Sequence, residues 1–133
     1  MKFTVEKDGY MPTRATALSA GYDLHAAYNV YVPAKDHVYV HTNVTVQMDK
    51  DSVGLVCSRS GLARKGLFVL NSPGVIDADF DGCIGVLLCN ISNLDIAISK
   101  GDRVAQLIEI KYIKPNDGVE AVRGEGGFGS TGA

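Results

Sequence analysis

The chain has 133 residues, 46% of them hydrophobic and 21% charged, a composition that suits one globular domain and excludes disordered and fibrous classes. Thirteen basic against fifteen acidic residues leave a net charge of −2, which argues against direct nucleic-acid binding through diffuse positive charge. No apolar run approaches the roughly 18 residues of a membrane-spanning helix.

From the N-terminus, Lys2 to Lys7 alternates Phe3 and Val5 with polar neighbours, a short strand ended by Asp8-Gly9. There is no apolar signal core, so the segment reads as the mature start of a strand. Pro12 to Ala20 has no period and reads as loop. Tyr22, Leu24, Ala26, Tyr28, Val30 and Val32 recur at period two, which predicts one long half-buried strand broken at Pro33. Val38, Val40, Thr42, Val44, Val46 and Met48 predict a second, closed by Asp49-Lys50-Asp51.

Ser52 to Cys57 and Leu67 to Leu70 are shorter apolar runs flanking a polar loop, residues 58–66. Cys83 to Ile91 is apolar nearly throughout, as in a strand buried on both faces. Strand-like stretches Ile96 to Ser99, Val104 to Tyr112 and Val119 to Val122 follow, separated by turn-forming residues. Short strands at regular spacing, with no sustained 3.6 period, predict an all-β sandwich or barrel. Residues 123–133 hold five glycines and are expected to form a flexible tail.

Cys57, Cys83 and Cys89 make an odd count with no Cys-x-x-Cys pair, so neither a disulfide framework nor a zinc site is suggested. Reduced thiols imply a soluble intracellular protein, of cytoplasm or nucleus. His37 and His41, four residues apart on a strand, stand roughly 13 Å from each other and cannot share a metal.

The densest chemistry lies in residues 71–82, where Val75-Ile76 leads into Asp77 and Asp79, with Phe80 beside them. On an extended chain both acids face one way, so one could serve as a base or both could face a cation. Acids beside glycine equally mark plain hairpin turns. The loop Ser58-Arg59-Ser60-Gly61 joins a cation, hydroxyls and an approachable backbone, and the tail adds Arg123, Phe128 and two hydroxyls. Both compositions suit phosphate, although the tail lacks the ending of a Walker loop.

Five stretches in order, Ala20-Gly-Tyr-Asp-Leu24, Arg59-Ser-Gly-Leu-Ala63, Gly74-Val-Ile-Asp-Ala-Asp-Phe-Asp-Gly82, Lys100-Gly-Asp-Arg-Val-Ala-Gln106 and Arg123-Gly-Glu-Gly-Gly-Phe-Gly-Ser-Thr-Gly132, resemble the five motifs of the homotrimeric deoxyuridine triphosphate nucleotidohydrolases (dUTPases). The resemblance implies a jelly-roll-like β-barrel of β-clip type over residues 1–122, with residues 123–133 as a lid belonging to the same domain. It also implies hydrolysis of dUTP to dUMP and pyrophosphate, with magnesium on the triphosphate and active sites shared among three subunits.

Carried over by position, Asp77 is the base that activates water. Asn71 reads uracil in a slot completed by the main chain of Gly74, Val75, Ile76 and Gly85. Phe80 stands where the family usually has Tyr, against the deoxyribose. Arg59, Ser60, Gly61 and Gln106 take the phosphates, and Asp23 lies near the magnesium waters. Arg123, Phe128, Gly129, Ser130 and Thr131 close over the nucleotide. Departures from the pattern are Ser58 for the usual Pro, Phe80 for Tyr, and Asp81 for a basic or neutral polar residue. The rival readings are a dCTP deaminase of related fold and a catalytically silent nucleotide sensor or interaction module.

Overall fold

The computed structural model describes residues 1–120. Its strands are β1 (Lys2–Val5), β2 (Tyr22–His25), β3 (Val30–Val32), β4 (Asp36–His41), β5 (Val44–Gln47), β6 (Ser52–Cys57), β7 (Leu67–Val69), β8 (Gly74–Ile76), β9 (Gly85–Asn90), β10 (Ile96–Ile98) and β11 (Arg103–Lys111). A single helical turn, α1 (Ser60–Ala63), interrupts them. The strands pair antiparallel throughout, in a four-stranded sheet β2-β11-β6-β8, a three-stranded sheet β4-β9-β7, and the two-stranded pairs β1-β5 and β3-β10. This is the expected all-β, jelly-roll-like barrel.

Alternation builds the core. On β9, Val86 and Leu88 point inward and are fully buried, and they meet Leu24, Val56, Leu67, Ile84 and Leu107 from the other strands. The one inward amide, Asn90, is satisfied by donating to the carbonyls of Val32 and Leu94 and accepting from Ser92, as burial of a polar side chain requires. The opposite side of β9 is half-buried at Leu87 and Cys89, so this strand is not sealed on both faces as its composition suggests. It is the central strand of its sheet, paired with β4 on one side and β7 on the other.

Both long predicted strands are in fact two strands in different sheets. The first breaks at Ala26-Ala27, where two consecutive side chains are buried. The Ala26 N–H goes to the Asp102 carbonyl and the Ala27 N–H to the His41 carbonyl, at 2.8 Å each, which carries the chain from one sheet to another. The second breaks at Thr42-Asn43, where Asn43 adopts φ 56° and its amide donates to the Lys7 carbonyl and the Tyr28 hydroxyl. Asn tolerates that left-handed conformation better than most residues. Of the predicted strand Val119 to Val122, the described part, Val119 and Glu120, has no strand pairing.

Candidate active site

On the four-stranded sheet, β11 sets Gln106 between Asp23 of β2 and Cys57 of β6. The chain leaving β6 then folds Arg59 back across this face. Its Nε donates to Asp23 Oδ1 at 3.1 Å, and its Nη1 donates to the Arg103 carbonyl at 3.5 Å. The Gln106 amide donates to the Ser58 carbonyl at 3.0 Å, and the Ser58 hydroxyl accepts from the Val69 N–H at 2.9 Å. The loop that carries the expected phosphate ligands is thus tied down where it begins, at Ser58 and Arg59. Gly21 leaves room for the Gln106 side chain, whose amide a Cβ there would push aside.

Ala20, Asp23, Arg59, Ser60, Arg103 and Gln106 are among the residues that line a cleft of about 410 Å³. Gly61 belongs to the same rim and has open space where a Cβ would be. The Asp23 side chain is 15% exposed and faces Arg59 on one oxygen and Arg103 Nη1, 3.8 Å away, on the other. Beside it His25 is held toward its neutral form. Burial lowers its pKa most, and Arg103 and Arg59 add to this against the opposing pull of Asp23. Its Nδ1 finds no partner among the described residues.

The residues expected around the base and the reacting water lie at the other edge of the sheet. Gly74 is buried on β8, and the Asn71 amide packs over it: a Cβ at Gly74 would stand 3.3 Å from Asn71 Nδ2 and from Val56 Cβ. Val75 is 58% exposed, and Ile76 and Asp77 are half-buried. Past β8 the chain turns at once, with the Phe80 N–H donating to the Asp77 carbonyl at 3.0 Å. Asp77 and Asp79 therefore belong to a tight turn and do not share one face of an extended strand, so spacing alone does not pair them. Phe80 borders a groove of about 550 Å³ between this turn and the β1-β5 pair. Gly85 starts β9, and a Cβ there would overlap the Tyr39 ring.

The two groups of residues do not meet within one chain. Asp23 is on the β2 edge and Asp77 follows the β8 edge, three strand spacings apart, which is about 14 Å. Along the strand direction, Gln106 pairs with Cys57 whereas Ile76 pairs with Gly54, so Asp77 is offset from the cleft by a further four residues, about 13 Å. The expected tail residues Arg123, Phe128, Gly129, Ser130 and Thr131 lie outside the described residues.

Arg103 is the cleft residue that the sequence reading missed. It follows Asp102 directly in the fourth motif, but strict strand alternation puts it on the side opposite Gln106. Among the described residues, those that fit magnesium are few: Asp23 is the only acid lining the cleft, and no group of three or more His, Cys, Asp or Glu is placed to hold a metal. That donor set suits a cation that arrives on a triphosphate with its own waters, and not one caged by protein.

The dUTPase family model matches residues 7–132. A probable deoxyuridine 5'-triphosphate nucleotidohydrolase of Schizosaccharomyces pombe is 44% identical, over 99% of each chain. Among solved structures, the dUTPase of Streptococcus mutans is similar with a TM-score of 0.81 and 30% identity, covering 87% of this chain and 99% of that one. A mutant dUTPase from phage phi11 of S. aureus, which coordinates a structural Mg(II) ion, has a TM-score of 0.79 and 25% identity, over 91% of this chain and 95% of that one. The family match spans nearly the whole chain and includes the cleft, the β8 turn and the tail motif: the chain belongs to the dUTPase family.

Proposed function

We propose that the chain hydrolyses dUTP to dUMP and pyrophosphate, which keeps uracil out of DNA and supplies dUMP for thymidylate synthesis. The observation that carries this reading is the cleft in which Asp23 holds Arg59 beside Gln106, in a chain matched by the dUTPase model over residues 7–132.

Asp77 accepts a proton from the water that attacks the α-phosphorus, general-base catalysis worth roughly 10²–10⁴-fold. Arg59, the backbone of Ser60 and Gly61, and Gln106 hold the phosphates, so that pyrophosphate leaves in line with the attack. Asn71 presents its paired donor and acceptor to the uracil edge. The main chain of Gly74, Val75, Ile76 and Gly85 shapes a slot that excludes a 5-methyl group by contact, and the Phe80 ring lies against the deoxyribose. The chemistry magnesium supplies when bound is neutralisation of phosphate charge, with Asp23 meeting its water shell.

A homotrimer with shared sites is the assembly that fits this chemistry. The outer face of the four-stranded sheet aligns Val75, Leu55 and Ile108 across three strands, and Val53 beside Ile110. Val75 and Ile110 are 58% and 43% exposed, an apolar stripe that another copy can cover. Covering it lets the cleft of one subunit face the β8 turn of a second, while Arg123, Phe128, Gly129, Ser130 and Thr131 of a third close over the nucleotide. Residues 1–122 then form the barrel and residues 123–133 its lid. Three free cysteines support an intracellular setting, cytoplasmic or nuclear. No helix among the described residues is long and apolar enough to cross a membrane.

The test is pyrophosphate release from dUTP, dTTP, dCTP and UTP with magnesium, for the wild type and Asp77→Asn. Release from dUTP alone, lost in the variant, is the expected result. Ammonia from dCTP, or dUTP binding without turnover, contradicts it.

A further inference from the structure

The geometry points to Arg103 as a second guanidinium that binds the triphosphate, clamped beside Arg59 on the shared carboxylate of Asp23. This assignment rests on the dUTP reading above and extends it to a residue which that reading does not use.

Strand alternation breaks at the start of β11. Arg103 and Gln106 are three residues apart on β11, so a regular strand would send their side chains to opposite faces. Between them the pairing with β2 slips: Arg103 pairs with His25, Ala105 with Leu24 and Gln106 with Asp23. Val104 and Ala105, consecutive residues, are both buried. That is the signature of a β-bulge, which absorbs one residue and re-aims the side chains beyond it. Its consequence is that Arg103 and Gln106 emerge on the same face, flanking Asp23.

The turn before the strand fixes where the bulge falls. Gly101 has φ 89°, its N–H donates to the Ala26 carbonyl, and the Ala26 N–H donates to the Asp102 carbonyl, each at 2.8 Å. The Asp102 carboxylate accepts from the Ser99 N–H at 2.8 Å. Arg103 therefore leaves a braced turn. Its guanidinium stands 3.8 Å from Asp23 Oδ2, and its own carbonyl accepts from Arg59 Nη1.

One carboxylate between two guanidiniums leaves a net positive charge at the cleft. The Asp23 side chain is 15% exposed, and that of Arg103 is 54% exposed, so the carboxylate lies inside and the second cation opens to the cleft. A surface ion pair at this distance contributes little to stability. A forked cation presented to phosphate oxygens contributes more.

The experiment measures dissociation constants of dUpNHpp and dUMP at low and moderate ionic strength, for the full-length wild type, Arg103→Gln and Arg103→Lys. The two ligands share base and sugar and differ in the β- and γ-phosphates. The assignment predicts that Arg103→Gln weakens dUpNHpp roughly 10- to 100-fold at low salt, changes dUMP less than about twofold, and flattens the salt dependence. Arg103→Lys, which keeps the charge but not the fork, recovers part of the loss. Equal weakening of both ligands, or failure of Lys to restore any of it, overturns the assignment in favour of a structural role, and unchanged dUpNHpp affinity overturns it outright. A wild type that does not bind dUpNHpp fails differently: it removes the dUTP reading itself, and Arg103 with it.

Discussion

The two edges of the four-stranded sheet are built by different means. At the β2 edge, side chains are tied to each other and to the backbone: Asp23 to Arg59 and Arg103, Gln106 to Ser58. At the β8 edge the shape is set by the main chain, through the turn from Asp77 to Phe80 and the glycines that admit Asn71 and Tyr39. The difference follows from what each edge is proposed to recognise. Phosphates carry charge and demand cations whose mutual repulsion something must offset, whereas a flat base and a deoxyribose are distinguished by fit.

The largest effect that separates the edges is expected at Asp77. Asp77→Asn lowers kcat about 10²–10⁴-fold and leaves dUpNHpp affinity near that of the wild type, measured by turnover and calorimetry. A loss of affinity equal to the loss of rate would assign Asp77 to binding. Next comes Asp23→Ala, which releases both arginines. About a tenfold rise in KM for dUTP is expected, from the loss of a charge-assisted arrangement, with kcat less affected.

A smaller effect of the same sign is expected for Gly21→Ala. Its added methyl displaces the Gln106 amide and loosens the Ser58 end of the loop, so KM rises a few-fold. Thermal unfolding, read beside the kinetics, separates that displacement from loss of fold. The smallest effect concerns Cys57, whose half-buried thiol burial pushes up from its ordinary pKa. Its alkylation at neutral pH is expected to be several-fold slower than that of an exposed model thiol. Faster reaction would show that β6 opens locally.

How much of this was legible beforehand differs residue by residue. The strand Ser52–Cys57 follows from composition and is found, whereas the polar loop expected after it holds the helical turn Ser60–Ala63. The breaks at Ala26-Ala27 and Thr42-Asn43 were hidden because a chain that passes from sheet to sheet around one core keeps burying every second residue on either side of the break. Only the consecutive alanines gave a sign of it. Asp77 and Asp79 looked like a strand pair because spacing does not report a turn that closes through a backbone hydrogen bond. Asp23 and Arg59, 36 residues apart, could be placed together only through the resemblance, since no local period links them. Arg103 reaches the cleft only through the bulge at Val104-Ala105, which the spacing of residues along β11 does not reveal.

In a single chain about 14 Å across the sheet and a further 13 Å along it part Asp77 from the cleft, so one working site is expected to take its two halves from different chains. Complementation tests it directly. Arg59→Gln and Asp77→Asn are each prepared alone, with little activity expected from either, then unfolded, mixed in equal amounts and refolded together. The account predicts that random assembly returns dUTP hydrolysis at about a quarter of the wild-type sites. Mixed oligomers with no activity beyond the sum of the two variants would contradict it, and would place Arg59 and Asp77 in the same chain's site.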